Sequence, residues 1–437
     1  MLNTDLKRIF SIALPAALNQ FLDMFQVLVD MIFIGRISAV AIASVGLSMN
    51  LIGTLYAVIS IFSIGTNVLV ARFFGAKDEK SLSIIVGTSL ITSFIVSLPI
   101  TLAIFFLSKE FFLVFGDNTL IAETGSVYMK IVSLSIPFLF IGAVLVSTSN
   151  GLGDTKTPLY IGIIGNILNT ILDYILIFGE FGFPELQVKG AAIATTTAYV
   201  VEVIIYLFLV FHKKIFQFKL KFDFQKALKL LKIGIPAGME RLIIQASFMV
   251  FIWIISLYGT YVLAGYQVGL RIEGLAFMPG FGFSIAAMTL VGQFLGAKRP
   301  DLAHKFAIKT AVIAGIIMQI IGLFLFLFPE DIASLFTNDL RTIKEASIYL
   351  KIVALSQFPL AIDFVLSGAL RGAGATKTSL LVNTASLWFF RILPALIMTF
   401  FTQNIIYVYL IMLLETYIKG YIIWYIFQKG KWKEVRV

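Results

Sequence analysis

The chain has 437 residues, 59 % hydrophobic and 13 % charged, with a formal charge of +10 and no cysteine. Charged residues are about half as frequent as in an average soluble domain, which excludes an ordinary water-soluble globule, and the lack of thiols excludes disulfides and thiolate metal sites. A basic balance of this size would suggest nucleic acid in a soluble protein, so its position along the chain has to be fixed first.

Apolar runs predict spans near 9–34, 42–71, 84–108, 123–149, 159–179, 190–211, 230–257, 261–293, 306–328, 344–370, 378–401 and 405–428. Each can cross a hydrocarbon core about 30 Å thick at about 1.5 Å per residue. The runs are apolar on every side, whereas strands of a closed barrel would alternate, so the expected fold class is all-α membrane protein with about twelve transmembrane helices. The first run follows Lys7 and Arg8 as a signal peptide would, but it is too long for an h-region and reads as an uncleaved first helix. An even number of spans puts both termini on one side. That side carries most loop Lys and Arg, which predicts an inner (plasma) membrane protein with both termini in the cytoplasm.

The densest basic run, Lys213, Lys214, Lys219, Lys221, Lys226, Lys229 and Lys232, lies between spans six and seven. It reads as a topological anchor in contact with anionic membrane lipids, and no nucleic-acid partner is expected. His212 and His304 fall in loops beside lysines, and no metal or nucleophile constellation emerges. The phosphate-cradling pattern Gly-x-x-x-x-Gly-Lys-Ser/Thr is also missing, so neither an enzyme, a cofactor nor direct use of ATP is expected.

Sliding the sequence along itself by about 221 positions exposes a repeat. Pro15 falls on Pro236, Gly75-Ala76-Lys77 on Gly296-Ala297-Lys298, and Leu134-Ser135 on Leu355-Ser356. Gly151-Leu-Gly153-Asp-Thr155-Lys156-Thr157 falls on Gly372-Ala-Gly374-Ala-Thr376-Lys377-Thr378 without a gap. The expected organisation is an N-terminal lobe over 1–211, a cytoplasmic linker over 212–229 and a C-terminal lobe over 230–437. Six spans per lobe make the repeat parallel, with a pseudo-two-fold axis along the membrane normal and a central cavity exposed alternately to either side, which argues for transport. The glycine and lysine loops read as tight turns rather than phosphate sites.

Ionisable residues inside spans cost at least about 2.5–3.5 kcal/mol and therefore mark function or pairing. Asp30 lies deep in the first span, and the spacing of Asn166, Asn169 and Asp173 puts all three on one face of the fifth. Carboxylates and amide oxygens suit a proton or a sodium ion, so Asp30, Asn169 and Asp173 form the candidate cation site, with Asp23, Gln26 and Asn166 as further polar cavity residues. The repeat positions of Asp30 and Asp173 are Phe251 and Pro394, so the acidic pair belongs to one half only. In the second half, Glu273 and Asp363 are candidate cavity residues, and a structural network with Arg271, Arg391, Glu415 and Lys419 is the expectation. Glu202, Glu240 and Arg241 are read as snorkelling near the cytoplasmic ends. Pro15 removes a helical hydrogen bond and is a candidate hinge. Phe277 to Phe283 suggests an adaptable aromatic cavity wall.

Val29-Asp30-Met-Ile-Phe-Ile-Gly35-Arg36, Gly75-Ala76-Lys77, Gly151-Leu-Gly153-Asp-Thr155-Lys156 and Asn169-Thr-Ile-Leu-Asp173 resemble the multidrug and toxic compound extrusion (MATE) family over nearly the whole chain. The resemblance implies a V-shaped pair of six-helix lobes and antiport of small amphipathic or cationic substrates against H+ or Na+, by a monomer. Asp30, Asn169 and Asp173, with Tyr128 and Thr195 beside them, match the amino-lobe cation site of the prokaryotic branch similar to DinF, and Pro15 matches its helix-one bend. The helix-seven glutamate of the NorM-like branch has no counterpart around Ile243-Ile-Gln245-Ala. A lipid-linked oligosaccharide flippase of the same broad superfamily is the alternative, which Arg271 and Arg391 would serve.

Overall fold

The computed structural model describes residues 2–114, 119–213 and 215–435, so Lys214 of the basic run lies outside the described residues, as does the side chain of Lys213. The first half contains α1 (Leu2–Gly35), α2 (Ala39–Gly75), α3 (Glu79–Val114), α4 (Thr119–Ser133), α5 (Ile136–Leu152), α6 (Lys156–Phe178) and α7 (Val188–Lys213). The second contains α8 (Phe224–Ser256), α9 (Thr260–Ala276), α10 (Met278–Gly296), α11 (Pro300–Leu327), the short α12 (Pro329–Ser334), α13 (Leu340–Ala354), α14 (Gln357–Gly372), α15 (Thr376–Ala385), α16 (Leu393–Met398) and α17 (Ile406–Lys429). Among the described residues there is no strand. Ten helices are long and apolar enough to cross a membrane, and twelve spans result if each of two bent pairs counts as one. The expected all-α membrane class is therefore the one the chain adopts.

The sequence repeat is a repeat of backbone. Lys77 and Lys298 both turn the chain with φ 57°, closed by the Asp78 N–H on Phe73 O (3.0 Å) and the Arg299 N–H on Phe294 O (2.8 Å). Gly153 and Gly374, at φ 90° and 82°, need the left-handed region that a side chain resists. The paired Leu-Ser steps are where spans break: α4 and α5 meet at 49°, and α13 and α14 at 59°. Pro137 and Pro359 follow these breaks and cannot donate to the preceding turn. At the breaks Ser135 Oγ and Ser356 Oγ donate to Val132 O (2.7 Å) and Val353 O (2.8 Å), carbonyls that also take the serines' own N–H groups.

Besides the two bent spans, expected as the single runs 123–149 and 344–370, two more differ from expectation. The run 261–293 is two helices, α9 and α10, broken at Phe277 ahead of Pro279, whose ring disfavours a continuous α-helical path. The run 378–401 is interrupted by a π-helical turn, Ser386–Ile392, which carries Arg391 and lies just before Pro394.

The chain forms two compact units, Leu18–Gly234 and Met1–Ala17 with Ile235–Val437. Both divisions fall beside the repeated prolines, Pro15 in α1 and Pro236 in α8. In the C-terminal unit, Ile9, Ile12 and Ala13 join a core with Phe283, Ala286, Leu290, Ala307, Val365 and Ala369. Arg8 donates to Gln293 Oε1 (3.1 Å), and Asp5 accepts from Lys305 (3.2 Å) and Lys309 (2.5 Å). In the N-terminal unit, Val45, Phe112, Tyr128, Met129, Ile177 and Ala192 form the core around the polar stripe. The segment before α8 docks there across α3: Thr88 Oγ1 donates to Lys221 O (3.1 Å) and accepts from the Asp223 N–H (3.1 Å).

Candidate functional site

Helix α1 presents Asn19, Asp23, Gln26 and Asp30 at successive helical turns, and α6 presents Asn166, Asn169, Thr170 and Asp173 opposite them. Gln26 Nε2 donates to Asp30 Oδ1 (2.6 Å), and its amide also meets that of Asn169. The Asn169 amide finds complementary neighbours when its nitrogen donates to Asp30 Oδ1 (3.1 Å) and its oxygen accepts from the Thr195 N–H (3.2 Å). Thr170 Oγ1 donates to Gln26 Oε1 (3.2 Å), which fixes the amide of Gln26. Asp173 is 1 % exposed, and among the described residues neither of its oxygens has a hydrogen-bond donor. Its carboxyl meets that of Asp30, and the buried Tyr128 lies within electrostatic reach of both, its hydroxyl beside Thr195.

This arrangement has a chemical consequence. A carboxylate taken out of water needs a donor or a cation, and two of them about 4 Å apart repel by about 4 kcal/mol at an effective dielectric near 20. Among the described residues, no basic side chain forms an ion pair with Asp23, Asp30, Asp173 or Glu202. A proton between Asp30 and Asp173 supplies the missing donor; a small cation bound by carboxylate and amide oxygens would do the same. The residues present fit either ion.

A second group lies further along the stripe. Asn19 Nδ2 approaches Asp23 Oδ2 (3.5 Å), and Asp23, Tyr199 and Glu202 interact electrostatically. Gly165 leaves room for the Glu202 carboxyl, so Glu202 is held against α6 rather than reaching for the membrane surface. Asp23 is exposed, and Asn166 is half-buried with its Nδ2 lacking a partner among the described residues.

The C-terminal unit handles its charges differently. Arg391 Nε and Nη2 donate to Glu415 Oε2 (3.0 and 2.5 Å), and Lys419 pairs with Asp363 (3.1 Å) more closely than with Glu415 (3.7 Å). Asp363 is thus a paired core residue rather than an open cavity acid. Glu240 is no snorkelling end residue: it is 3 % exposed and accepts at Oε1 from Arg371 (3.1 Å), Ser379 (3.0 Å) and Asn383 (2.7 Å). Glu273 is buried, takes the Tyr349 hydroxyl on Oε2, and has neither Arg271 nor Arg391 as an ion-pair partner. Arg271 is exposed. The segment Phe277 to Phe283 packs on its own unit, with Phe281 stacked on Phe364 (5.1 Å) and Phe277 edge-on to it (5.8 Å).

The sequence reading did not single out Thr170 or Tyr199, nor Glu202 as a site residue. Thr170 sits in a helix where threonine usually bonds back to its own turn, as Thr170 also does to Asn166 O (2.9 Å), so nothing in the spacing sets it apart. Gly165, at the position on α6 that faces Glu202, was a signal available in the sequence. Among the described residues, no group of three or more His, Cys, Asp or Glu is placed to hold a metal ion.

Repeated bundles of long apolar helices, one of which carries acids with no ion-pair partner among the described residues, define a polytopic membrane protein of the transporter kind. The MatE family model matches twice, over residues 15–175 and 236–397, and the chain belongs to that family. Both matches start at the repeated prolines. The chain is 31 % identical over 437 residues to a probable multidrug resistance protein NorM of Thermotoga maritima, covering 98 % of this chain and 93 % of that one. It is also 27 % identical over 391 residues to the uncharacterized transporter YisQ of Bacillus subtilis, covering 87 % and 84 %. Among solved structures, an outward-facing multidrug resistance MATE family transporter of the MOP superfamily superposes with a TM-score of 0.91 at 20 % identity, covering 97 % and 95 %. A MOP superfamily transporter from Pyrococcus furiosus, described as having a binding pocket of reverse polarity, superposes at 0.90 with the same identity and coverage.

Proposed function

We propose that the protein exports small amphipathic or cationic molecules across the inner (plasma) membrane by antiport against H+ or Na+, and that the coupling ion binds at Asp30 and Asp173. The observation that carries this reading is the meeting of two carboxyls, one fully buried and without a donor among the described residues, inside a ring of amides and hydroxyls from Gln26, Asn169, Tyr128 and Thr195. Relatives named as multidrug resistance proteins support the substrate class. Both termini face the cytoplasm, as the basic loops require, and the chain works as a monomer without a cofactor.

Ion uptake removes the repulsion between the carboxyls and so favours whichever conformation holds them together; ion loss on the other side restores it. One charge moving through 100 mV supplies about 2.3 kcal/mol, enough for an approximately fifty-fold substrate gradient. The flippase alternative loses ground because Arg391 is committed to Glu415. The test is export of a fluorescent lipophilic cation from proteoliposomes in which pH and sodium gradients are imposed separately. Export driven by at least one gradient, and absent in Asp30→Asn and Asp173→Asn, is expected. Undiminished gradient-driven export by both variants refutes the assignment.

A further inference from the structure

A groove of about 400 Å³ opens on the outer surface of the C-terminal unit between α11, α14 and α17. Small residues, Ala311 and Gly420, form its floor, and Ile308, Val312, Phe358, Ile362, Tyr421 and Trp424 form its walls. Gly420 brings α17 onto α14, since a methyl group there would lie 2.9 Å from Pro359 O. Pro359 also shapes the inner end. It has no N–H for Leu355 O, and the Tyr417 hydroxyl on α17 donates to that carbonyl (2.8 Å), while Gln319 Oε1 accepts from the Phe358 N–H (3.1 Å). The groove thus starts at the 59° break between α13 and α14, where these exposed backbone groups are already satisfied, and its lining is apolar.

Its other end is polar. One turn beyond Ile308 and Trp424, His304 Nε2 meets Gln428 Oε1 at 3.0 Å and ties α11 to α17. The Tyr421 ring lies 5.9 Å from Trp424 and 6.2 Å from Tyr425, and Lys429 Nζ stands 4.5 Å over the Tyr425 ring. The half-exposed Lys305 shares Asp5 with Lys309, so two cations face one carboxylate there. Lys431 and Lys433 follow, against Asp301 and Glu434, which leaves this mouth net positive. From Tyr417 to Gln428 α17 rises about 16 Å at about 1.5 Å per residue. That is one leaflet of a hydrocarbon core about 30 Å thick.

We infer that this groove is a binding site for one anionic phospholipid, with an acyl chain between α11, α14 and α17 and the phosphate beside Lys305 and Lys429. Lipid tails are as apolar as leucine, so the hydrophobic effect does not draw a chain into the groove; the chain fills it because an empty groove forfeits dispersion contacts. Selection among lipids falls to the mouth, where tryptophan and tyrosine suit the interface and lysines attract a negative headgroup. A cationic substrate would meet charges of its own sign there, and a second copy docked face to face would oppose lysine to lysine. Asp30 and Asp173 have no part in the site.

The experiment is fluorescence quenching of the full-length Trp253→Phe/Trp388→Phe variant in liposomes containing brominated lipid. Trp424, 41 % exposed, is then the indole that lipid reaches, because Trp432 is 3 % exposed. In equal mixtures of phosphatidylglycerol and phosphatidylcholine, brominating the former should quench Trp424 more than brominating the latter. The expected preference is about five-fold, the effect of one lysine near anionic lipid. It should vanish in Lys305→Gln/Lys429→Gln and survive in Lys109→Gln/Lys344→Gln, which removes exposed lysines at the other end of the spans. If Lys305→Gln does not yield folded protein, Lys429→Gln alone should weaken the preference. With Trp253 left in place of Trp424, in Trp388→Phe/Trp424→Phe, no preference is expected. Equal quenching by both lipids, the same preference at Trp253, or a preference indifferent to Lys305 and Lys429 would each overturn the inference. So would an absence of quenching by either lipid, which would mean that protein covers the groove.

Discussion

The N-terminal unit gathers Asp23, Asp30, Asp173 and Glu202 along one polar stripe with amides and hydroxyls as neighbours, whereas the C-terminal unit gives three of its buried acids an arginine or lysine each. The two units share a repeat, turn for turn, yet one leaves negative charge uncompensated and the other cancels most of it. Uncompensated buried charge costs free energy and persists where something transient is meant to complete it. Cancelled charge fixes helices against each other. On the function proposed above, a duplicated scaffold assigns ion binding to one copy and rigidity to the other without changing its fold.

The largest expected effect of breaking this contrast falls on activity. Asp173→Asn replaces a carboxyl by an amide of the same shape, which can donate to Asp30 permanently. The fold should survive, judged by gel filtration and melting, while gradient-driven export drops to the level of empty liposomes. Export at half the native rate or more would mean that the unpaired acids of the first unit do not couple transport.

The next effect is on stability and belongs to the other unit. Glu415 is 0 % exposed and holds both Arg391 and Lys419, so Glu415→Gln leaves buried cations short of a partner and should cost about 3–5 kcal/mol. Replacing the pair together, Arg391→Met with Glu415→Leu, should recover much of that loss in thermal melts. If the single and double variants melt alike, the pair is not what holds α17 to the π-helical turn.

What could be read in advance follows from where the constraints act. The repeated turns at Lys77 and Lys298 are set by a few adjacent residues, so sliding the sequence along itself found them, whereas the Leu-Ser match marked the places of the two breaks without showing that the spans 123–149 and 344–370 bend there. The stripe of Asn166, Asn169 and Asp173 was legible because a helix has a fixed period. Partner choice among the C-terminal charges was not legible, because it is settled by which helices pack: Glu415 and Lys419 stand in the favourable i, i+4 order, yet Lys419 lies nearer Asp363. The break at Phe277 was hidden for a related reason, since hydropathy runs on through it while the backbone does not.

The repeat also supplies a matched pair of helix contacts. A methyl group on Gly151 would sit 2.9 Å from Asn67 O, and its counterpart on Gly372 would press on Met288 O, itself the counterpart of Asn67. Gly151→Ala and Gly372→Ala should each destabilise the protein by about 1–3 kcal/mol, Gly372 more, because its neighbour is closer and entirely backbone. Equal and negligible shifts in melting temperature would show that these helices can separate freely.

The smallest effect comes from the two lysine turns, which start the following helices differently. Asp78 Oδ1 accepts from the Ser81 N–H (2.9 Å), whereas the second copy has Arg299 there and starts α11 with Pro300. The backbone hydrogen bond from Ser81, helped by the Ser81 side chain, holds the Asp78 carboxyl below its ordinary range. A carboxyl lowered in the folded state stabilises above its unfolded value, near about 3.9, and loses that contribution as pH falls through the folded one. Asp78→Ala should therefore cost about 0.5–1 kcal/mol at neutral pH, screened by salt because the group is exposed, and the gap to the native protein should close in strong acid. The mirror substitution Arg299→Ala should leave melting unchanged at either pH, since the second turn relies on proline for the same task. A pH-dependent loss at Arg299 instead would mean that the two turns cap their helices by the same means after all.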